Sequence, residues 1–216
     1  MKVEIWSDVM CPFCYIGKRK FEMALEQFSE KDKVEIIWKS FQLDPNKVTD
    51  PNKNVNDYLA ERKGISVQKA KEMNDYVTGV AAAVGLNYKL DKAIVANSFD
   101  SHRFSHLAKK YGVQNEAEEL LFKAYFIEGK NTADHTILTE IGNVLGVDPL
   151  ETQSVLESDQ YADEVNEDIA EAQNIGINGV PFFVFNRKYA VSGAQESKVF
   201  LEVLNTLEKE LEQQTI

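Results

Sequence analysis

Two cysteines separated by two residues, standing where a strand pattern gives way to a helix pattern, constrain this chain more than any other feature. Cys11-Pro12-Phe13-Cys14 follows Lys2-Val3-Glu4-Ile5-Trp6, in which Val3 and Ile5 share one face and Glu4 takes the other. After it runs Tyr15 to Phe28, where Phe21, Ala24, Leu25 and Phe28 recur at helical spacing. Pro12 suits the first helical position, because the N–H it lacks would have no partner there. The pattern therefore predicts Cys11 as the N-cap and Cys14 in the first turn. A thiol so placed faces unpaired backbone N–H groups and the positive end of the helix dipole, both of which stabilise a thiolate. Cys11 is expected to be the exposed nucleophile and Cys14 the shielded, resolving thiol. Two intervening residues let a disulfide close within one turn.

A C-x-x-C pair can also be half of a zinc site, which needs two further Cys or His ligands. These are the only two cysteines, and the three histidines, His102, His106 and His135, lie far off in sequence. His102 and His106 have the i, i+4 spacing of a metal-binding face but no third ligand at suitable spacing, so no metal is expected. The net charge of −11 over 216 residues argues against a nucleic-acid or anionic-membrane binder. No apolar run approaches the roughly 18 residues that a membrane span needs. The first strand begins at once, which leaves no room for a secretory signal. Without a second cysteine pair there is no structural disulfide framework, so a reducing compartment, the cytoplasm, is expected.

Along the chain, Val34 to Phe41 reads as a second strand and Leu43-Asp44-Pro45 ends it. Thr49 to Asn56 is polar and reads as a connection. From about Val55 to Ile175 the periodicity is helical almost throughout. Ser66 is predicted to cap a helix stopped by Gly85, and Ser98 one ending near Tyr111 and Gly112. Helices follow over about Glu116–Glu128 and Thr136–Leu145, the latter capped by Asp134, then a short one from Asp148-Pro149, and a last one from Tyr161 to Ile175. Strands return at Pro181–Phe185 and Tyr189–Gly193 around the turn Asn186-Arg187-Lys188. A final amphipathic helix carries Phe200, Val203, Leu204, Leu207 and Leu211 on one face. Asp8, three residues before Cys11, is close enough to take a proton from Cys14, to repel the Cys11 thiolate, or merely to cap the turn. Phe13, Tyr15, Phe99 and Phe104 are candidates to line an apolar groove, although such residues are more often core.

The segment Ser7-Asp8-Val9-Met10-Cys11-Pro12-Phe13-Cys14-Tyr15-Ile16-Gly17-Lys18-Arg19 resembles the active-site segment of DsbA-like oxidoreductases, in their cytoplasmic FrnE-like branch. Asn97–Arg103, Phe126–Asn131, Gly179–Val184 and Tyr189–Gln195 extend the likeness over nearly the whole chain. The resemblance implies an α/β, thioredoxin-like fold with a large α-helical insertion. The thioredoxin-like unit would comprise residues 1–50 and 176–216, and the insertion residues 51–175, with its last helix (about 161–175) packing back on that unit. It further implies a cis Pro181 beside the dithiol, with the Val180 backbone free to pair with an extended substrate, and His102 and Arg103 facing the disulfide. Thiol–disulfide exchange or isomerisation would follow, with Cys11 as nucleophile, Pro12 and Phe13 shaping its turn, and no cofactor beyond the redox-active disulfide. The partners would be protein or small-molecule thiols and disulfides, glutathione being a candidate co-substrate, and the chain a monomer or homodimer. DsbA itself has His where this chain has Phe13, whose side chain offers no donor or positive charge, so a less oxidising disulfide is expected. Glutathione-dependent transferases and 2-hydroxychromene-2-carboxylate isomerases share the inserted fold but typically carry Ser for the first cysteine. A non-enzymatic DsbA-like adaptor would need neither thiol.

Overall fold

The first apolar strand lies inside a four-stranded sheet. The computed structural model describes residues 1–214. Strand β1 (Lys2–Ser7) pairs in parallel with β2 (Glu35–Ser40) and antiparallel with β5 (Phe182–Phe185), and β6 (Tyr189–Ser192) lies outside β5. Helices cover both faces of β1, so even Glu4 is buried. Val3 and Ile5 share a core with Phe21 of α1 (Pro12–Leu25) and with Phe200 and Leu204 of α9 (Ser197–Gln214). The Phe21 ring meets those of Phe183, Phe185 and Phe200 at 5.5, 6.0 and 5.6 Å. On the opposite face Trp6 packs with Ile177, Val184 and Ala172, the last on α8 (Ala162–Asn174). Its indole N–H donates to the Asp168 carbonyl at 3.0 Å. Complete burial of each large apolar side chain contributes about 1.5–3 kcal/mol, which is what holds the sheet between its helices.

Between β2 and β5 the chain forms β3 (Asp50–Asn54), α2 (Val55–Lys63), α3 (Val67–Ala82), β4 (Ile94–Val95), α4 (Phe99–Lys110), α5 (Gln114–Lys123), α6 (His135–Val144), α7 (Pro149–Leu156) and α8. The caps at Ser66, Asp134 and Asp148 form as their side chains predict, accepting from the N–H groups of Lys69, Thr136 and Leu150. Ser98 does not cap α4. Its own backbone is already helical, and the Asn97 side chain accepts the Phe99 N–H at 2.9 Å instead. The polar stretch 49–56 is no bare connection either, because Asp50–Asn54 pairs antiparallel with Ile94–Val95. That strand is mostly exposed, so it carries none of the apolar alternation by which a strand is recognised. The helix expected to reach Glu128 ends at Lys123 and widens into a π turn, Ala124–Glu128, closed by Gly129 at φ 68°.

The helical block also protects an edge. On β2, the Gln114 side chain accepts the Trp38 N–H and donates to the Trp38 carbonyl, both at 3.1 Å. Asp168 accepts the Ser40 N–H at 2.9 Å. These side chains occupy main-chain groups that would otherwise template pairing with another strand. Phe104, Leu121, Phe122 and Leu138 join the same core as Val3 and Phe21, so one apolar interior runs through sheet and insertion.

Candidate active site

Cys11 is the N-cap of α1, in extended conformation, and Pro12 takes the first helical position. The Cys11 N–H donates to the Asp8 carbonyl at 2.9 Å and the Cys14 N–H to the Cys11 carbonyl at 3.0 Å. Both cysteines are free thiols. Cys14 is 0% exposed and Cys11 only 4%, so the expectation of an exposed Cys11 is corrected. The Val180–Pro181 loop lies over it: that peptide is cis, and the Cys11 thiol donates to the Val180 carbonyl at 3.4 Å. Phe13 remains outside at 38% exposure. Burial, and next the Cys11 thiol beside it, push the Cys14 thiol well above its ordinary range, with the Ser7 hydroxyl and the Asp8 backbone acting the other way. The two sulfurs are thereby unequal. Cys14 must be relieved of a proton before it can attack, whereas Cys11 caps α1 beneath the Val180 carbonyl.

Gly17, one turn beyond Cys14, makes the close approach possible. A Cβ there would stand 2.8 Å from Pro181 Cγ and 3.4 Å from the Phe183 ring. Gly17→Ala is expected to lift the Pro181 loop off α1 and to cost about 1–3 kcal/mol, as overpacking does. Thermal unfolding and the rate of disulfide exchange should both register it; unchanged values would mean that the loop gives way without consequence.

Asp8 is buried, and its carboxylate accepts the Met10 N–H at 3.1 Å and the Leu43 N–H at 2.7 Å. It caps the turn that delivers Cys11 and ties that turn to the segment after β2. His102, reaching in from α4, places Nε2 3.8 Å from Asp8 Oδ1, an ion-pair separation with no hydrogen-bond partner for that nitrogen. Burial alone would raise Asp8, but His102 and the two N–H groups outweigh it and hold its carboxyl below the usual range. Burial works against the His102 imidazolium, yet Asp8, with Glu118 and Asp168 behind it, raises it above the ordinary histidine value. Asp8 thus stabilises the fold above about 3.8 and loses that contribution as pH falls through its lowered value. His102 contributes fully below 6.5 and fades as pH rises through its raised value. The two contributions overlap between those limits. His102→Gln is therefore expected to cost more stability in urea at about pH 5.5 than at about pH 9, and an equal loss at both would refute the pairing.

Arg103 does not face the dithiol. Its guanidinium donates to the carbonyls of Val155, Ser158 and Gln160 and to Asp100, which joins α4 to the α7–α8 connection. Its planar array of donors matches a cluster of carbonyls better than an apolar thiol site. His106 turns to Ser40 Oγ at 3.2 Å and Asp168 Oδ2 at 3.1 Å. Among the described residues, no three His, Cys, Asp or Glu side chains stand together in a metal-binding group. Of the four aromatics suggested for a groove, Tyr15 and Phe104 are core, at 1% and 0% exposure. Tyr15 stacks on Phe122 at 5.1 Å, and its hydroxyl donates to Glu119, which also pairs with Lys18 and Arg19.

Three neighbours of the dithiol escaped the sequence reading as site residues. Gly17 stood within the matched segment, and its helical position amid larger residues was the available signal. Ser7 ends β1, and its buried hydroxyl works against the burial that raises the Cys14 thiol. Tyr88, from the segment between α3 and β4, donates its hydroxyl to the Pro12 carbonyl at 2.7 Å, and nothing local in the sequence announces that.

Residues 2–205 match the pattern of the DSBA-like thioredoxin domain. The chain belongs to that family. It is similar to a probable DsbA oxidoreductase of Streptomyces coelicolor, with 39% identity and a TM-score of 0.90 over 97% of this chain and 91% of that one. The uncharacterized protein YwbO of Bacillus subtilis (strain 168) is 27% identical over 96% of this chain and 97% of its own length. The cytosolic disulfide reductase DsbM of Pseudomonas aeruginosa has the same fold at 14% identity, with a TM-score of 0.66 over 100% and 98% of the two chains. The architecture is thus the thioredoxin-like α/β fold with a large helical insertion, as expected, and the cysteine pair has the spacing of a DsbA-type dithiol. Among the described residues, no helix is long and apolar enough to cross a membrane.

Proposed function

We propose that this DsbA-like chain catalyses thiol–disulfide exchange on protein disulfides, with Cys11 as nucleophile and Cys14 as resolving thiol. The observation that carries it is the inequality of the two sulfurs: one caps α1 beneath the Val180 carbonyl, the other is sealed behind it. The Cys11 thiolate attacks a substrate disulfide, forming one S–S bond and expelling one substrate thiolate. Cys14, once deprotonated, attacks Cys11 and releases the second substrate thiol. The protein leaves as the Cys11–Cys14 disulfide, two electrons having passed to the substrate. External thiols, glutathione among them, return it to the dithiol, and the same steps in reverse oxidise a substrate. Rearrangement of a captured substrate before Cys14 attacks is isomerisation.

Substrate would enter across exposed Phe13 and the half-buried Val180, whose backbone offers strand-like pairing to an extended segment, with Pro181 beneath it. We place the chain in the FrnE-like branch and in the cytoplasm on its motifs and on the lack of any cysteine outside the dithiol. The same reading keeps residues 1–50 and 176–216 as the redox unit and 51–175 as the helical insertion, its last helix (about 161–175) packing back on that unit. Asp8 and His102 shape the turn beneath the thiols.

The test is accelerated reduction of insulin by a small dithiol, read as precipitation of its chains, together with recovery of scrambled ribonuclease. Absence of both, with the thiols titratable and the protein folded, sinks the proposal. Tight glutathione binding with an activity that survives Cys14→Ser would point to a transferase instead.

A further inference from the structure

The helical insertion places one polar side-chain atom on the dipeptide between the cysteines. Tyr88 is 4% exposed and lies between α3 and β4. Its ring stacks on Phe126 at 4.7 Å and neighbours Tyr15 at 6.1 Å. The adjoining Lys89 N–H donates to the Phe126 carbonyl at 2.7 Å, which clamps the segment to the π turn. Gly129 completes the clamp: a Cβ there would stand 2.9 Å from both the Lys92 carbonyl oxygen and its Cβ. So held, the phenol donates to the Pro12 carbonyl at 2.7 Å.

The local chemistry leaves a need that this hydroxyl can meet. As a thiol, Cys11 donates to the Val180 carbonyl. As a thiolate it has no proton to donate, faces that carbonyl dipole unfavourably, and requires donors of its own. The Phe13 side chain, between the cysteines, has no donor to add to the backbone N–H groups of the first turn. The Tyr88 hydroxyl is already bonded one residue away, and charge on either Cys11 or Cys14 is felt at the phenol.

We infer that Tyr88 is a hydrogen-bond donor serving the dithiol: its hydroxyl fixes the Pro12 carbonyl while Cys11 is a thiol or in a disulfide, and turns to the Cys11 sulfur when that sulfur is charged. The donor comes from the insertion rather than from the C-x-x-C segment, so the helical block sets how strongly the reduced form is favoured. This rests on the dithiol exchange proposed above. No proton leaves the phenol; only its hydrogen-bond acceptor changes.

Equilibration with glutathione tests it, in the reaction of protein disulfide with two glutathione thiols to give protein dithiol and glutathione disulfide. Tyr88→Phe keeps the ring stack and removes the hydroxyl. The equilibrium constant is expected to fall about five- to tenfold, a tenfold loss corresponding to about 30 mV. The pH at which Cys11 becomes half-reactive toward iodoacetamide is expected to rise. A lowered melting temperature with both of these unchanged would make Tyr88 a packing residue only and overturn the inference. Should Tyr88→Phe fail to fold, 3-fluorotyrosine at position 88 preserves shape and strengthens the donor. It is then expected to move both readouts the opposite way, and no movement overturns the inference. Failure of the unaltered protein to form a Cys11–Cys14 disulfide in this buffer would refute the parent reading instead, which keeps the two distinguishable.

Discussion

Cys11→Ser is expected to lower insulin reduction by at least about a thousandfold while leaving the melting temperature nearly unchanged. Serine cannot form a nucleophilic oxyanion near neutral pH, so no mixed disulfide is captured. The fold should tolerate it, because a hydroxyl can still donate to the Val180 carbonyl as the thiol does. Cys14→Ser separates the two steps. Capture by Cys11 proceeds but resolution does not, so a covalent adduct with substrate should accumulate and appear in the intact mass. An adduct on Cys14 in the Cys11→Ser variant, formed at the unaltered protein's rate, would reverse the assigned roles. The burial of Cys14 at 0% exposure argues against that outcome.

Arg103→Ala is expected to be the most destabilising single change outside the core, at about 3–5 kcal/mol, the range for removing one partner of a buried charged network. The side chain is 4% exposed and gathers three backbone carbonyls, those of Val155, Ser158 and Gln160. Without it those carbonyls lose a charged donor, and the α7–α8 connection loses its tie to α4. For a chain of this length the loss corresponds to a fall in melting temperature of roughly 10 °C. Arg103→Lys should recover only part of it, since one ammonium cannot span carbonyls that a planar guanidinium bridges. Calorimetry of both variants checks the ordering, and full rescue by lysine would show that charge alone matters. Folded Arg103→Ala should keep its redox equilibrium with glutathione, because the guanidinium is turned from the dithiol.

Much of the architecture is legible in the sequence because its signals are local. Pro12 after Cys11 marks the start of α1, and Asp148-Pro149 the start of α7, since each pairs a capping side chain or N-cap with a residue suited to the first turn. Tyr189–Ser192 and Phe182–Phe185 announce a hairpin through apolar runs around a polar turn. Where the signal weakens, the reading does too. Asp50–Asn54 pairs through its backbone and exposes polar side chains, so nothing in its composition marks a strand. Ser98 and Asn97 are both capable caps, and only the path of the chain decides that Asn97 does it.

The site divides along the same line. Sequence alone determined that two thiols stand at the end of the first helix, because spacing, proline and flanking periodicity act over one or two turns. Only the tertiary structure decided what surrounds them: Val180 over Cys11, Gly17 against Pro181, His102 beneath Asp8, Tyr88 on Pro12, and Arg103 turned elsewhere. Those contacts join residues far apart in the chain. Their formation depends on how helices pack over the sheet, which no local preference of a backbone or side chain can specify.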